Sequence, residues 1–213
     1  MTIELLMRYD DNYAELGDIS SLRAKDYAAR HGYSLHVSRL AQPAGWGPYW
    51  MKVFLAQERL VRGGADYLFW MDADSFIMDL AFPLESLHGP EGTLLDLPTE
   101  STGMCVGAMG VVNCEWTRRL LDTWLFLGPM TKIPDGISQN HGGDQAPLML
   151  LDRHFDSVHN AIHRIPQEFI SNPETPEKGK FLHLFWTRMF GKQENVRQMR
   201  DLLKVSSVSQ GTI

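Results

Sequence analysis

The chain has only two cysteines, Cys105 and Cys114, in 213 residues. They form neither a metal-ligand spacing nor a disulfide framework, so two free thiols in a reducing cytoplasm are expected. Long apolar runs are missing as well. The densest, Tyr67 to Met71, is far too short to cross a bilayer, and no membrane span is expected. The opening MTIELLMRYDD has no basic segment ahead of a long apolar stretch, so no signal peptide is expected either. Basic side chains are in the minority, 20 against 26 acidic, which excludes a general nucleic-acid binder. A polyanionic ligand would have to be met by local positive groups or by a bound cation. Internal repeats and linkers are absent. The chain therefore reads as a single domain over residues 1–204, with the composition of a frayed tail over 205–213.

What is present alternates. Ile3 to Met7 reads as a short buried strand followed by the polar loop Arg8-Tyr9-Asp10-Asp11-Asn12. Ser20 or Ser21 can cap a helix that runs to Arg30 or His31 and stops at Gly32. Tyr33 to Val37 is a second strand. A Gly- and Pro-rich loop, Gln42 to Pro48, leads to a helix from Tyr49 to Arg62 that Gly63-Gly64 ends. Tyr67 to Met71 then reads as a strand buried on both faces. This order predicts an α/β fold of Rossmann type, a mostly parallel central sheet with helices on both faces and ligands beyond the carboxyl ends of the strands. Further on, Val106 to Val112 reads as a strand and Glu115 to Phe126 as a helix started by Asn113 or Cys114. Gly128 to Gly143 reads as a surface loop, and Asp144 to Leu151 as a helix that Asp144 can cap. His163 to Ile165 and Phe181 to Phe185 read as short strands, and Gln193 to Leu203 as the last helix.

The third strand delivers Asp72-Ala73-Asp74 between two apolar segments. Two adjacent carboxylates in such a setting are costly unless something positive is near them. Mg²⁺ and Mn²⁺ favour hard oxygen ligands, and a cation bridging two phosphates neutralises the charge that develops on a leaving diphosphate. Taken alone, the same pair is equally a polar turn after a strand.

A longer ordered set of segments resembles the GT-A glycosyltransferases, in particular the fungal Golgi α-galactosyl- and α-mannosyltransferases and plant xyloglucan xylosyltransferases. It begins with Lys25 to Tyr33 (KDYAARHGY), Trp50-Met51-Lys52 and Phe69 to Asp74. Gly110 to Asn113 with Trp116 follows, then Leu121 to Trp124, Gly143-Asp144-Gln145, Ile165-Pro166-Gln167 and Phe181-Leu182-His183. The resemblance implies a metal-dependent enzyme that moves a hexose or pentose from a nucleotide diphosphate sugar to a glycan acceptor, with retention. A UDP-sugar is the first expectation and GDP-mannose the second. Mn²⁺ or Mg²⁺ would be held by Asp72, Asp74 and His183. Asp144 and Gln145 would be catalytic, and Met7, Tyr9, Arg23, Lys25, Lys52, Asp72, Asp144 and Arg188 would bind the donor. The family commonly has Gly a few residues after the metal-binding His, where this chain reads His183-Leu184-Phe185-Trp186, so Arg188 or Lys192 would have to supply charge to the diphosphate.

Each residue also has a plainer reading: His183 as a core histidine, Asp144 as a helix cap, and Arg23, Lys25 and Lys52 as solvated helix residues. Two other functions compete. A haloacid-dehalogenase-type phosphatase also places Asp-x-Asp after an apolar strand, with Gly143-Asp144 and Asp152 as further members. A catalytically silent sugar-nucleotide or glycan-binding module could keep the fold.

Overall fold

The computed structural model describes residues 1–100, 103–128, 143–173 and 179–210, the side chains of 188 and 205–210 aside. The first half follows the expected alternation: β1 (Ile3–Arg8), α1 (Ala14–His31), β2 (Ser34–Ser38), α2 (Met51–Arg62) and β3 (Tyr67–Met71). α1 starts well ahead of Ser20. The Asp10 side chain accepts from Asn12 N–H and turns the chain into a 3-10 segment, Asp11–Tyr13, that feeds straight into the helix. Ser20 is a fully buried residue within it. Gly32, at φ 72°, closes α1, and Gly63 and Gly64 leave α2 with φ values of 73° and 105°. These left-handed positions suit glycine because it has no Cβ to clash.

The second half is more irregular: β4 (Ser75–Ile77), β5 (Leu95–Glu100), β6 (Gly103–Met104), β7 (Ala108–Val112), α3 (Glu115–Leu127), α4 (Gln145–His154) and α5 (Asp156–His159). β8 (Ile162–Ile165), β9 (Ile170–Ser171), β10 (Leu182–Leu184), α6 (Thr187–Phe190) and α7 (Lys192–Gln210) complete it. α7 runs through most of the stretch whose composition reads as a tail. The loop expected over Gly128 to Gly143 lies, from 129 to 142, outside the described residues.

The large sheet has the order β2-β1-β3-β7-β5-β6, with β8 beside β5. β1 pairs in parallel with β2 and β3, whereas β7 lies antiparallel between β3 and β5. β5, β8 and the first three strands therefore point one way, and β7 and the short β6 run against them. The reversal follows from chain length. β5 returns through β6 into β7 with too few residues for a crossover helix. A smaller sheet, β4-β10-β9, is set beside the first.

β3 divides its side chains between two cores with period two. Leu68 and Trp70 pack with residues of α2, α3 and α4. Tyr67, Phe69 and Met71 pack with residues of α1 and β10 on the other face. At the base of β3 the Tyr67 hydroxyl donates to Asp96, which is fully buried and also accepts from His88, His163 and Gly89 N–H. The phenol reaches Asp96 by lying over Gly110, where an added Cβ would sit 1.7 Å from the hydroxyl oxygen. Gly110→Ala should force the ring away and destabilise the protein by about 1–3 kcal/mol, measured by urea unfolding.

Candidate active site

The carboxyl end of β3 is shaped by a tight turn. Asp72 N–H donates to Gly107 O at 2.8 Å, and Asp72 O accepts from Ser75 N–H at 3.2 Å and from the Ser75 hydroxyl. The turn reverses the chain into β4 and leaves both carboxylates on the cleft. Trp70 Nε1 donates to Asp72 Oδ1 at 2.7 Å. Asp74 Oδ2 accepts from Thr187 N–H at 3.1 Å and Thr187 Oγ at 2.8 Å, and its backbone carbonyl accepts from Phe185 N–H. The turn is thus fastened to the segment that follows β10.

The opposite wall comes from the start of α4. Lys52, 5% exposed, stands between the walls: its Nζ lies 3.3 Å from Asp72 Oδ1 and 3.0 Å from Asp144 Oδ2, and donates to Val106 O at 3.2 Å. Burial alone would push the ammonium pKa down. Asp144 and Asp72 outweigh that and hold it above the ordinary lysine value. The helix-cap reading of Asp144 is corrected here, because its side chain makes no capping bond and is given to Lys52 instead. Gln145 follows, with its amide held at both ends: Oε1 accepts from Val106 N–H at 3.3 Å, and Nε2 donates to Glu100 Oε1 at 2.9 Å.

These residues line a cavity of about 180 Å³ with Tyr13, Tyr49, Cys105, Gly107, Trp186 and Thr187. An adjoining space of about 260 Å³ shares Tyr13, Tyr49, Lys52, Asp72 and Asp74 and extends along Arg8, Tyr9 and Asp10. Together they make one cleft with an inner and an outer arm, at the carboxyl ends of β1 and β3. The inner arm sets the carboxylates of Asp72, Asp74, Glu100 and Asp144 against the single ammonium of Lys52. Burial and the neighbouring Asp72 push Asp74 up to about 6. Hard oxygen donors with surplus negative charge fit a divalent cation.

The fit stops at the carboxylates. Among the described residues no group of three or more His, Cys, Asp or Glu side chains is gathered closely enough to hold a metal ion. His183 stands opposite Phe76 in the β4–β10 pairing, 8% exposed, with Nδ1 bonded to Ser171 Oγ at 2.7 Å and its ring against Phe185.

Of the other expected contacts, Tyr9 lines the outer arm, its hydroxyl bonded to Asp18 and Ser21. Met7 is wholly buried within β1. Arg23 is turned away: it donates to Ile77 O and Met78 O and lies over the Phe76 ring, fastening β4 to α1. Lys25 is exposed on α1. Lys192 donates to Asn12 O beside Tyr13, and the Arg188 side chain lies outside the described residues. The phosphatase set is not gathered either. Asp152 pairs with Arg164 and His159 in a separate, larger cavity of about 650 Å³, where these charges offset one another.

Sequence reading assigned no role to Arg8, Trp70, Glu100 or Thr187. Trp70 lies within the family-like Phe69 to Asp74 segment, but Arg8, Glu100 and Thr187 carry no motif signal and reach the cleft only through the fold. Lys52→Met should strand the buried Asp144 carboxylate, leave half-buried Asp72 without its cation and cost about 3–5 kcal/mol, whereas a solvated surface lysine would cost almost nothing. Urea unfolding separates the two outcomes.

Residues 9–90 match the model of the galactosyl transferase GMA12/MNN10 family. The chain is 23% identical over 189 residues to a xyloglucan 6-xylosyltransferase of Arabidopsis thaliana, covering 84% of this chain and 41% of that protein. It is 27% identical over 116 residues to a galactomannan galactosyltransferase of Cyamopsis tetragonoloba, covering 50% of this chain and 26% of that one. The chain thus spans well under half the length of these relatives. Among solved structures, a glycosyltransferase involved in glycosylation of the major capsid of PBCV-1 superposes with a TM-score of 0.73 at 12% identity, covering 94% of this chain and 99% of that one. The galactosyltransferase LgtC, in complex with donor and acceptor sugar analogues, gives 0.57 at 12% identity, covering 93% and 95%. No helix among the described residues is long and apolar enough to cross a membrane. The chain has the fold of the GT-A glycosyltransferases and resembles, in sequence, the galactosyl transferase GMA12/MNN10 family.

Proposed function

We propose that this chain is a divalent-metal-dependent glycosyltransferase that moves a hexose or pentose from a nucleotide diphosphate sugar to a glycan acceptor with retention of configuration. A UDP-sugar is the first candidate donor and GDP-mannose the second. One observation carries the reading: the Asp72–Asp74 turn and the Asp144-Gln145 pair face each other across one cleft, joined by buried Lys52.

The donor would lie along both arms, nucleotide outward past Tyr9 and Tyr49, sugar inward toward Asp144. Asp72 and Asp74 would hold Mn²⁺ or Mg²⁺, with His183 proposed as the further ligand. Such a cation would supply charge neutralisation for a diphosphate leaving group. Lys52 offsets charge on Asp72 and Asp144 and fixes the distance between the walls. Asp144 accepts hydrogen bonds from hydroxyls of the sugar. The Gln145 carbonyl oxygen, one lone pair of which accepts from Val106 N–H, would offer its other lone pair to the positive charge that develops at the anomeric carbon. The bond from that carbon to the phosphate oxygen breaks, the bond to the acceptor oxygen forms on the same face, and the acceptor's proton passes to the departing phosphate. Tyr49, 58% exposed, and half-buried Trp186 border the opening and suit a sugar ring by stacking.

Two experiments test this reading. Asp74→Asn removes a charge that burial and Asp72 both oppose, so in EDTA it should raise stability by on the order of 1 kcal/mol. The same change should abolish the thermal shift that UDP with Mn²⁺ produces in the wild type. A variant that still binds UDP as tightly in Mn²⁺ would remove Asp74 from the site. Gln145→Ala should lower kcat by roughly 10²–10³-fold with little change in donor KM. NMR of the product anomer decides the stereochemistry, and an inverted linkage would sink the role given to Gln145. A silent binding module would take up UDP with Mn²⁺ and release none from any UDP-sugar.

A further inference from the structure

Glu100 is the last residue of β5, 8% exposed, and its carboxylate belongs to the inner arm of the cleft. Its Oε1 receives the Gln145 Nε2 hydrogen bond at 2.9 Å, while Val106 N–H donates to Gln145 Oε1 at 3.3 Å. The two ends of a glutamine amide are nearly identical in shape, so only the hydrogen-bond partners decide which faces where. Val106 N–H can only donate, and an ionised carboxylate can only accept. A flipped amide would set N–H against N–H and a carbonyl oxygen against a carboxylate. A negatively charged acceptor also strengthens the bond it receives and draws electron density toward the amide oxygen. Cys105 completes the setting: burial and the Glu100 charge push its thiol pKa up, so it stands beside Glu100 as a neutral group.

We propose that Glu100 is the positioning residue for Gln145: it locks the amide with its carbonyl toward Val106 and raises the negative character of that oxygen. The proposal rests on the glycosyl-transfer reading for its consequence in turnover, and on the Glu100–Gln145 contact alone for its geometry. Glu100 does not act on substrate directly in this scheme. Its effect passes through the amide.

The test is a double-mutant cycle on the full chain, with UDP-galactose, UDP-xylose and Mn²⁺ as probes and UDP release as the readout. Glu100→Gln preserves shape and removes the charge. It should lower kcat about tenfold while leaving the affinity for UDP with Mn²⁺ within about twofold. In a Gln145→Ala background the same change should cost nothing further, because the group it acts through is gone. Unchanged kcat in Glu100→Gln overturns the proposal. Multiplying losses in the double variant also overturn it, because they would place Glu100 on the substrate itself. A second measurement needs no turnover. In ¹⁵N-labelled protein the Gln145 side-chain amide resonances, identified by their loss in Gln145→Ala, should move upfield and exchange faster in Glu100→Gln. Resonances that stay in place overturn the contact. A wild type that releases no nucleotide from either UDP-sugar or from GDP-mannose while its Gln145 resonances do shift would defeat the transferase reading and leave the Glu100–Gln145 lock standing.

Discussion

The cleft depends on one buried ammonium. Lys52 reaches from α2 between the end of β3 and the start of α4, and its three acceptors belong to Asp72, Asp144 and the backbone at Val106. A charge 5% exposed needs close partners of opposite sign, because desolvation on each ion exceeds anything a single loose contact returns. Here the pairing spans two separate elements, so it sets the width of the cleft and offsets part of the negative charge on its walls. The Trp124 indole donates to the Asp144 carbonyl and fixes the same corner from α3. One end of the site is therefore pinned by packing and ion pairing together.

The other end is held differently. Asp74 owes its orientation to Thr187 and to the backbone contact with Phe185, both beyond β10, far along the chain from β3. The inner arm as a whole carries more negative than positive charge, and Asp74 is pushed up first by its burial and then by the neighbouring Asp72 charge. Such an imbalance lowers the stability of the protein on its own and is tolerated where a site is prepared for a charge that arrives with its ligand.

Much of the frame was legible in the sequence because its signals are local. Tyr67 to Met71 is a strand with the bounds its apolar run predicts, Gly32 and Gly63 end helices where left-handed glycines should, and Cys114 opens α3. Asp72, Asp74, Lys52, Asp144 and Gln145 were legible too, through an ordered resemblance, and the structure draws them to one cleft. β5 was not. Its sequence, LDLPTE, buries an aspartate and a glutamate that no periodicity marks as interior, and their partners, among them His88, Gly89, His163, Tyr67 and Gln145, come from other elements. The start of α1 was misplaced because Ser20 looks like a cap, while the true entry depends on an aspartate turn further upstream. Arg23 lies in a family-like stretch, yet its guanidinium serves two carbonyls on the far side of α1. A position in a motif fixes a residue's place on the chain, and tertiary packing alone fixes the direction of its side chain.

The segment after His183 has an electrostatic consequence. It sets the Trp186 indole against the cleft and gives the next N–H and hydroxyl, those of Thr187, to Asp74. The described cations bordering the cleft already have protein acceptors: Lys52 has two carboxylates, Arg8 has Leu40 O and Asp10, and Lys192 has Asn12 O. A diphosphate entering here brings further negative charge to a wall rich in carboxylates, in a chain whose formal net charge is -6. Two like-charged groups at contact distance repel by about 4 kcal/mol even at the effective dielectric of a protein surface. Contacts already used within the fold do not offset that. Positive charge delivered with the donor, as a divalent ion between the carboxylates and the phosphates, does, and this is the strongest physical reason for reading the Asp72–Asp74 turn as a metal-binding element.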